Sequence, residues 1–512
     1  MLSPWFPVFC AGLLLVYYAL PGTLRWTALL AASMVFYCLS GVQGGIFVLI
    51  TAVSSYAGAL LMGALTQRRK AWLKAHRELP REEKQVYKKR SKRAQRTVMI
   101  LTLVLNFGIL GIFKYSGFVF GSSGFMDSLV VPLGISFYTF QTMGYVIDIY
   151  WEKYDPERNF FKHLLFVSFF PQMTQGPISD YQFLQAQLFT PHFFAYENFS
   201  KGFARMLAGF FKKLVLAGLI GPWVQTVFAN YNEYAGISVA IGAVCYSIWI
   251  YADFSGYMDI ICGYCQMLGI TLSENFERPY FSKSVAEYWR RWHITLGAWF
   301  KSYLYYPIAV SKWNQRLAKG ATKRLGKAFG QSLCASIALV AVWLTTGLWH
   351  GASWSYVAWG GVNGLCIIAA IWLEPVFQRM KKGLRIREDA WLWRAFQTLR
   401  TFALVTLIKV LPEVGTLSQG LGLWKRIFTN FTLPATIREL LPFAGNKLTV
   451  FAVAISTLGL FLSSLLARKE AIRDRFYRLP MAVRIGTLAM LTLAIVYFGG
   501  MGSGGGFLYA QF

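Results

Sequence analysis

Residues 332–373 read SLCASIALVAVWLTTGL, then WHGAS, then WSYVAWGGVNGLCIIAAIWL. Two apolar runs, each about as long as a membrane-crossing helix, are joined by five residues that include His350. An ionisable side chain set among such runs is costly. It usually faces a protein interior or a watery cavity, and it marks a candidate functional residue. A neutral imidazole there can take a proton from a hydroxyl near pH 7, the step that acyl transfer to an alcohol requires. The plainer alternative is a structural histidine bonded to a neighbouring helix.

The rest of the chain extends that reading. Of its 512 residues 55% are hydrophobic, 17% aromatic and 14% charged, and mean hydropathy is +0.43. A soluble domain carries about 25% charged residues. The expected fold is therefore all-α: a polytopic membrane bundle of about eleven or more spans with re-entrant and interfacial helices. The net charge of +28 sits in segments between apolar runs, which is the pattern of cytoplasmic loops beside a lipid bilayer. No stacking or groove-reading motif accompanies it, so nucleic acid is not expected as a partner. The seven cysteines lie in or beside apolar runs, and Cys262 and Cys265 have CxxC spacing with no second pair or His cluster. They read as packing residues, and no metal site is expected.

Expected spans begin with residues 5–20, uncleaved because no basic residue precedes them, then 26–39 and 44–65. Residues 67–96 follow as a basic loop, in which Glu78, Glu82 and Glu83 alone oppose Arg68, Arg69, Lys70 and ten further Lys and Arg residues. The excess places the loop in the cytoplasm and the N-terminus on the extracytoplasmic side of a cell membrane. Residues 312–327, 379–400 and 468–484 are read as further cytoplasmic stretches. One membrane domain is expected, divided into N-terminal spans (1–130), a core (131–373) and C-terminal spans (374–512). Residues 97–113 and 130–150 read as spans, and residues 164–177 read as a broken or re-entrant helix around a cavity. Asp253 and Asp259 are six residues apart and lie on different faces of a helix, which favours separate roles over an acid/base pair. Residues 273–307 mix charge with Trp and Tyr, as interfacial segments do. Arg290, Arg291 and Lys301 suit either lipid phosphate or an anionic donor such as coenzyme A.

Several pieces together resemble the membrane-bound O-acyltransferase (MBOAT) family, and more narrowly its alginate O-acetyltransferase membrane-subunit branch. They are VPLGISFYTFQ (131–141), FFPQ (169–172) with GPI (176–178), DFSGY (253–257), Asn275-Phe276 with Pro279-Tyr280, WRRWH (289–293), GLWHGA (347–352) and FLYAQF (507–512). The resemblance implies a helical bundle enclosing a tunnel with a cytoplasmic mouth for an acyl thioester. It implies that His350 is catalytic and that His293 is the second family histidine, shaping the cytoplasmic side. Trp349, Trp354, Asn275, Trp289, Arg290, Arg291, Trp292 and Asp253 are the expected substrate and tunnel residues. Lys301-Ser302 and Asn363 depart from the branch, where Arg-Asp and a third His are usual.

The implied reaction moves acetyl from cytosolic acetyl-CoA toward hydroxyls of an extracytoplasmic polysaccharide, or to an acetyl-relaying surface or periplasmic partner protein. His350 is the general base, and no permanently bound cofactor is expected. The alternatives are D-alanyl transfer from a carrier-protein thioester to teichoic acid, and a non-catalytic polysaccharide export component.

Overall fold

The computed structural model describes residues 5–121, 131–432, 447–467 and 472–499. Residues 468–471 of the last basic stretch, residue 130 and the closing motif at 507–512 lie outside them. The described chain is helical. Among the described residues the one isolated β-bridge joins Phe276 and Trp292, and eight helices are long and apolar enough to cross a membrane. The chain is a multi-pass membrane protein. The eight helices include those on either side of His350, Lys327–His350 and Trp354–Gly383.

The chain folds as two compact units, 1–199 with 264–273, and 200–263 with 274–512. In the first unit the expected basic loop is not a loop. Val42–Ala75 and Arg81–Phe120 are helices of 34 and 40 residues, and the charged stretch forms their facing ends. At 1.5 Å per residue these run about 50 and 60 Å, against an apolar bilayer thickness of about 30 Å. Lys, Arg and Glu are good helix formers, so a charge run marks the side of the membrane without interrupting a helix. Trp72 stacks on Tyr87, with ring centroids 3.9 Å apart. Gln95 Nε2 donates to Thr66 Oγ1 at 2.8 Å, and Asn106 Nδ2 to Ser54 Oγ at 3.0 Å. Glu152 anchors the arm through Arg69 and Lys92 at 2.6 and 2.7 Å.

The broken helix expected over residues 164–177 is present. Helix Phe160–Ser168 ends before a single turn, Phe170–Met173, with Pro171 inside it. Irregular buried backbone needs partners for its amides, and two buried glutamines supply them. Gln141 Nε2 donates to the Phe166 carbonyl at 2.8 Å and its Oε1 accepts from the Ser179 amide at 3.2 Å. Gln172 Nε2 donates to the Pro177 carbonyl at 2.9 Å. Helix Ile135–Tyr150 is buried on nearly every face. Gly134 precedes it at φ +72°, where a Cβ would lie 2.0 Å from the Met173 carbonyl oxygen.

In the second unit, a π-helical segment Phe211–Ala217 links Tyr196–Phe210 to Gly218–Ala229. Its partner is the helix carrying Asp253 and Asp259, approached at Gly209 and Gly256. A Cβ on either glycine would lie within 2.6–2.9 Å of the other's carbonyl oxygen. Lys213 pairs with Asp253, while Lys212 and Arg205 pair with Asp259 at 2.7 and 2.9 Å. The two carboxylates therefore hold different partners, as their different helix faces require. The His350 helix packs closely on Trp354–Gly383, where a Cβ on Gly347 would meet the Tyr356 carbonyl at 2.4 Å and one on Gly360 the Trp343 carbonyl at 2.3 Å. Small residues let membrane helices approach in this way.

Residues 273–307 are less peripheral than their composition suggests. They form short helices at Val285–Arg291 and Ile294–Phe300 and a π-helical turn at Lys301–Tyr305. Tyr288, Trp292, His293 and Phe300 are buried. An amphipathic pattern here marks a segment that turns these aromatic residues into the core.

Candidate active site

His350 is the last residue of its helix and is buried. Its Nδ1 lies 2.8 Å from the Thr346 carbonyl oxygen. A carbonyl only accepts, so Nδ1 carries the proton and Nε2 holds the lone pair. The Thr346 hydroxyl is committed to the Val342 carbonyl at 2.7 Å. Ser353 caps the next helix, accepting from the Tyr356 amide. Both hydroxyls thus serve the helix ends.

His293 occupies a left-handed conformation, φ +49° and ψ +52°, at the start of Ile294–Phe300. A non-glycine residue there needs external support. Asn275 provides it. Its main-chain carbonyl accepts from the Ile294 amide at 3.1 Å. Its Oδ1 accepts from the Thr295 amide at 3.0 Å and the Thr295 hydroxyl at 2.8 Å. The Phe276–Trp292 bridge and the Glu277 amide bond to the Arg291 carbonyl, 3.0 Å, complete the clamp. Burial holds the His293 imidazole well below its usual pKa, and nearby His350 lowers it further. The Trp349 ring centroid is 4.9 Å from that of His350 and 5.9 Å from that of His293.

A cavity of ≈ 30 Å³ lies beside His350, bordered by Trp289, Trp292, Trp359, Lys409 and Glu413 among others. It holds a group of a few atoms, since one water needs about 10–15 Å³ by the same measure. Trp289 Nε1 donates to Asn363 Oδ1 at 2.9 Å, and Asn363 Nδ2 to the Trp359 carbonyl at 2.9 Å. Asn363 thus fixes two of the indole walls. Burial pushes the Glu413 carboxyl up to about 7, against the opposing effect of the Tyr246 hydroxyl bonded to it.

The fold thus brings His350, Trp289 and Trp292 to one cavity, and the Trp349 ring lies against both His350 and His293. Asn275 shapes the His293 turn. Asp253 is held in its ion pair with Lys213, and the side chains of both are 4% exposed. Arg291 pairs with Glu287 at 2.6 Å, and Arg290 is exposed. Trp354, expected in the wall, is 68% exposed; Trp359 fills that place, five residues further along the helix. Lys409 and Glu413 escaped the sequence reading. Lys409 closes the apolar run 401–408, so the rule that singled out His350, an ionisable group at the edge of such a run, would have found it.

A family model described as MBOAT, membrane-bound O-acyltransferase family, matches residues 157–322. That segment contains His293 and ends before His350. The chain is 31% identical over 363 residues to a probable alginate O-acetylase AlgI of Azotobacter vinelandii, covering 68% of this chain and 64% of the relative. It is 30% identical over 383 residues to a probable alginate O-acetylase AlgI of Pseudomonas syringae pv. tomato, covering 73% and 68%. A teichoic acid D-alanyltransferase of Streptococcus thermophilus is 26% identical over 293 residues, covering 55% and 68%. The matched stretches thus span about two thirds of these relatives' own lengths.

Proposed function

The chain belongs to the membrane-bound O-acyltransferase family, and from that premise we propose that it is an O-acetyltransferase working from cytosolic acetyl-CoA toward hydroxyls of an extracytoplasmic polysaccharide. The observation that carries this reading is the orientation of His350. Its Nδ1 is tied to the Thr346 carbonyl, and the ring borders a small indole-walled cavity. A thioester is already activated, so the remaining task is to hold a hydroxyl against its carbonyl and remove one proton.

In the proposed step the acceptor oxygen attacks the thioester carbonyl while its proton passes to His350 Nε2. The C–O bond forms, the C–S bond breaks, and the departing thiolate takes up the proton. General-base catalysis of this kind is worth roughly 10²–10⁴-fold. Holding both reactants in a dry site supplies much of the rest, and the indoles exclude water that would hydrolyse the thioester. The cavity accommodates the acyl group alone; the coenzyme and the acceptor lie beyond it. The relatives named as alginate O-acetylases support acetyl as the group moved and a polysaccharide as the receiver.

The same reading puts the basic arm of residues 67–96 in the cytoplasm and the N-terminus outside, by its charge. A protease or thiol-label accessibility map of inside-out vesicles tests that orientation. The reaction is tested by release of coenzyme A from acetyl-CoA in lipid nanodiscs, comparing wild type with His350→Ala, with and without polysaccharide oligomers. Release that is lost in the variant supports the reading. No release from folded wild type under any condition overturns it.

A further inference from the structure

Lys409 ends the helix Trp391–Lys409 and is 5% exposed. Its Nζ lies 3.9 Å from the Trp292 ring centroid, 4.7 Å from that of Tyr280 and 5.1 Å from that of Tyr288. It donates a hydrogen bond to the Tyr280 hydroxyl at 2.8 Å, and that hydroxyl donates to the Ser247 carbonyl. Three aromatic faces around one amine form the arrangement by which proteins seat a ligand's ammonium group. Here the chain's own lysine fills the seat, and both Lys409 and Trp292 border the cavity beside His350.

We propose that Lys409 is a specificity-determining residue, admitting short neutral acyl groups to the cavity beside His350 and excluding aminoacyl groups. The proposal rests on the reading of that cavity as the acyl-transfer site. An aminoacyl thioester whose carbonyl reaches His350 brings its ammonium into a space of ≈ 30 Å³. The ring faces that would receive it are taken, whichever protonation state Lys409 holds. A charged Lys409 adds like-charge repulsion, strong in a low-dielectric site. Glu413, the acid of the same lining, is a weak counter-ion, because burial disfavours its charged form. An acetyl methyl is neutral and needs no such seat, and the indole rings, Ile250 and Pro412 of the lining receive it. The distinction separates the two kinds of relative that the chain resembles, those that move acetyl and those that move D-alanyl.

The test uses the full chain in lipid nanodiscs with propionyl-CoA and glycyl-CoA, which differ only in a methyl against an ammonium. Coenzyme A release and equilibrium binding are measured for each donor, with acetyl-CoA and His350→Ala as controls. Wild type is expected to favour the propionyl donor by about tenfold, the order of a desolvated cation–aromatic contact denied to the glycyl ammonium. Lys409→Met, which keeps the stem and removes the amine, brings the ratio toward one. Lys409→Arg preserves it. A wild-type ratio near one, or an unchanged ratio in folded Lys409→Met, overturns the proposal. If no donor turns over, the acetyl-transfer reading fails on its own, and the binding ratio still decides the role of Lys409. If Lys409→Met does not fold, Lys409→Gln and the wild-type ratio decide it.

Discussion

The His350 ring nitrogen Nδ1 sits 2.8 Å from the carbonyl oxygen of Thr346, one helical turn earlier. A helix end thereby fixes the tautomer of its own last residue through a backbone acceptor. Replacing His350 by Gln keeps a polar group of similar reach and removes the base. The expected result is a fall in single-turnover acetyl transfer of roughly 10²–10⁴-fold, with donor affinity changed little. A variant that retains wild-type turnover would remove His350 from the chemistry.

Asn275 is expected to matter as much to the site as to the fold. Its carboxamide oxygen accepts two bonds from Thr295 and so holds His293 in a left-handed conformation. Asn275→Ala leaves a buried amide and hydroxyl without that acceptor, at about 1–3 kcal/mol. Thermal unfolding in detergent should fall to match, and turnover should drop with it. A variant with wild-type stability and rate would show that the turn needs no clamp.

The pH profile of stability carries a signature of His293. Its pKa in the folded protein is depressed by burial and by His350, from a usual value of 6.5. The unfolded chain then binds the proton more readily, so stability is full above that usual value and is lost as pH falls below it. The limiting slope for one proton is about 1.4 kcal/mol per pH unit. Glu413, raised to about 7 from 4.5, acts in the opposite sense, losing its contribution as pH rises between those values. The difference between wild type and His293→Gln isolates the imidazole. Parallel unfolding profiles from pH 5 to 7 would show that His293 titrates alike in both states.

Lys213 and Asp253 bury a complementary pair of charges between the π-helical segment and the neighbouring helix. Removing one partner leaves the other charge buried without its counter-ion, and Asp253→Leu is expected to cost about 3–5 kcal/mol, with Lys213→Met as the second single variant. The double variant Lys213→Met with Asp253→Leu should recover most of that loss, because an apolar pair of similar volume is often tolerated. Chemical unfolding of the four proteins in one cycle measures the coupling. Additive losses would show that the pair is not an energetic unit.

The apolar runs were legible because crossing a bilayer demands some twenty apolar residues in a row, whatever surrounds them. His350 was legible for the same reason, as an ionisable group among apolar runs. The break just before Pro171 was legible from backbone chemistry. The basic arm was legible as a charged stretch and not in shape, since a helix accepts Lys and Arg as readily as a loop does. Trp354 and Trp359 show the limit more sharply. Both stand on one helix beyond His350, and composition cannot say which ring turns inward; one is 68% exposed and the other 5%.

The sequence by itself determined a helical membrane protein with a histidine held among apolar segments, because both follow from the local cost of placing polar groups in an apolar medium. Only the tertiary structure decided which residues share the cavity with that histidine. Trp292, His350 and Lys409 are far apart in the chain and meet through helix packing at small residues and through a turn clamped by Asn275. Such meetings depend on which faces of which helices close on one another, and no local pattern in the chain encodes that choice.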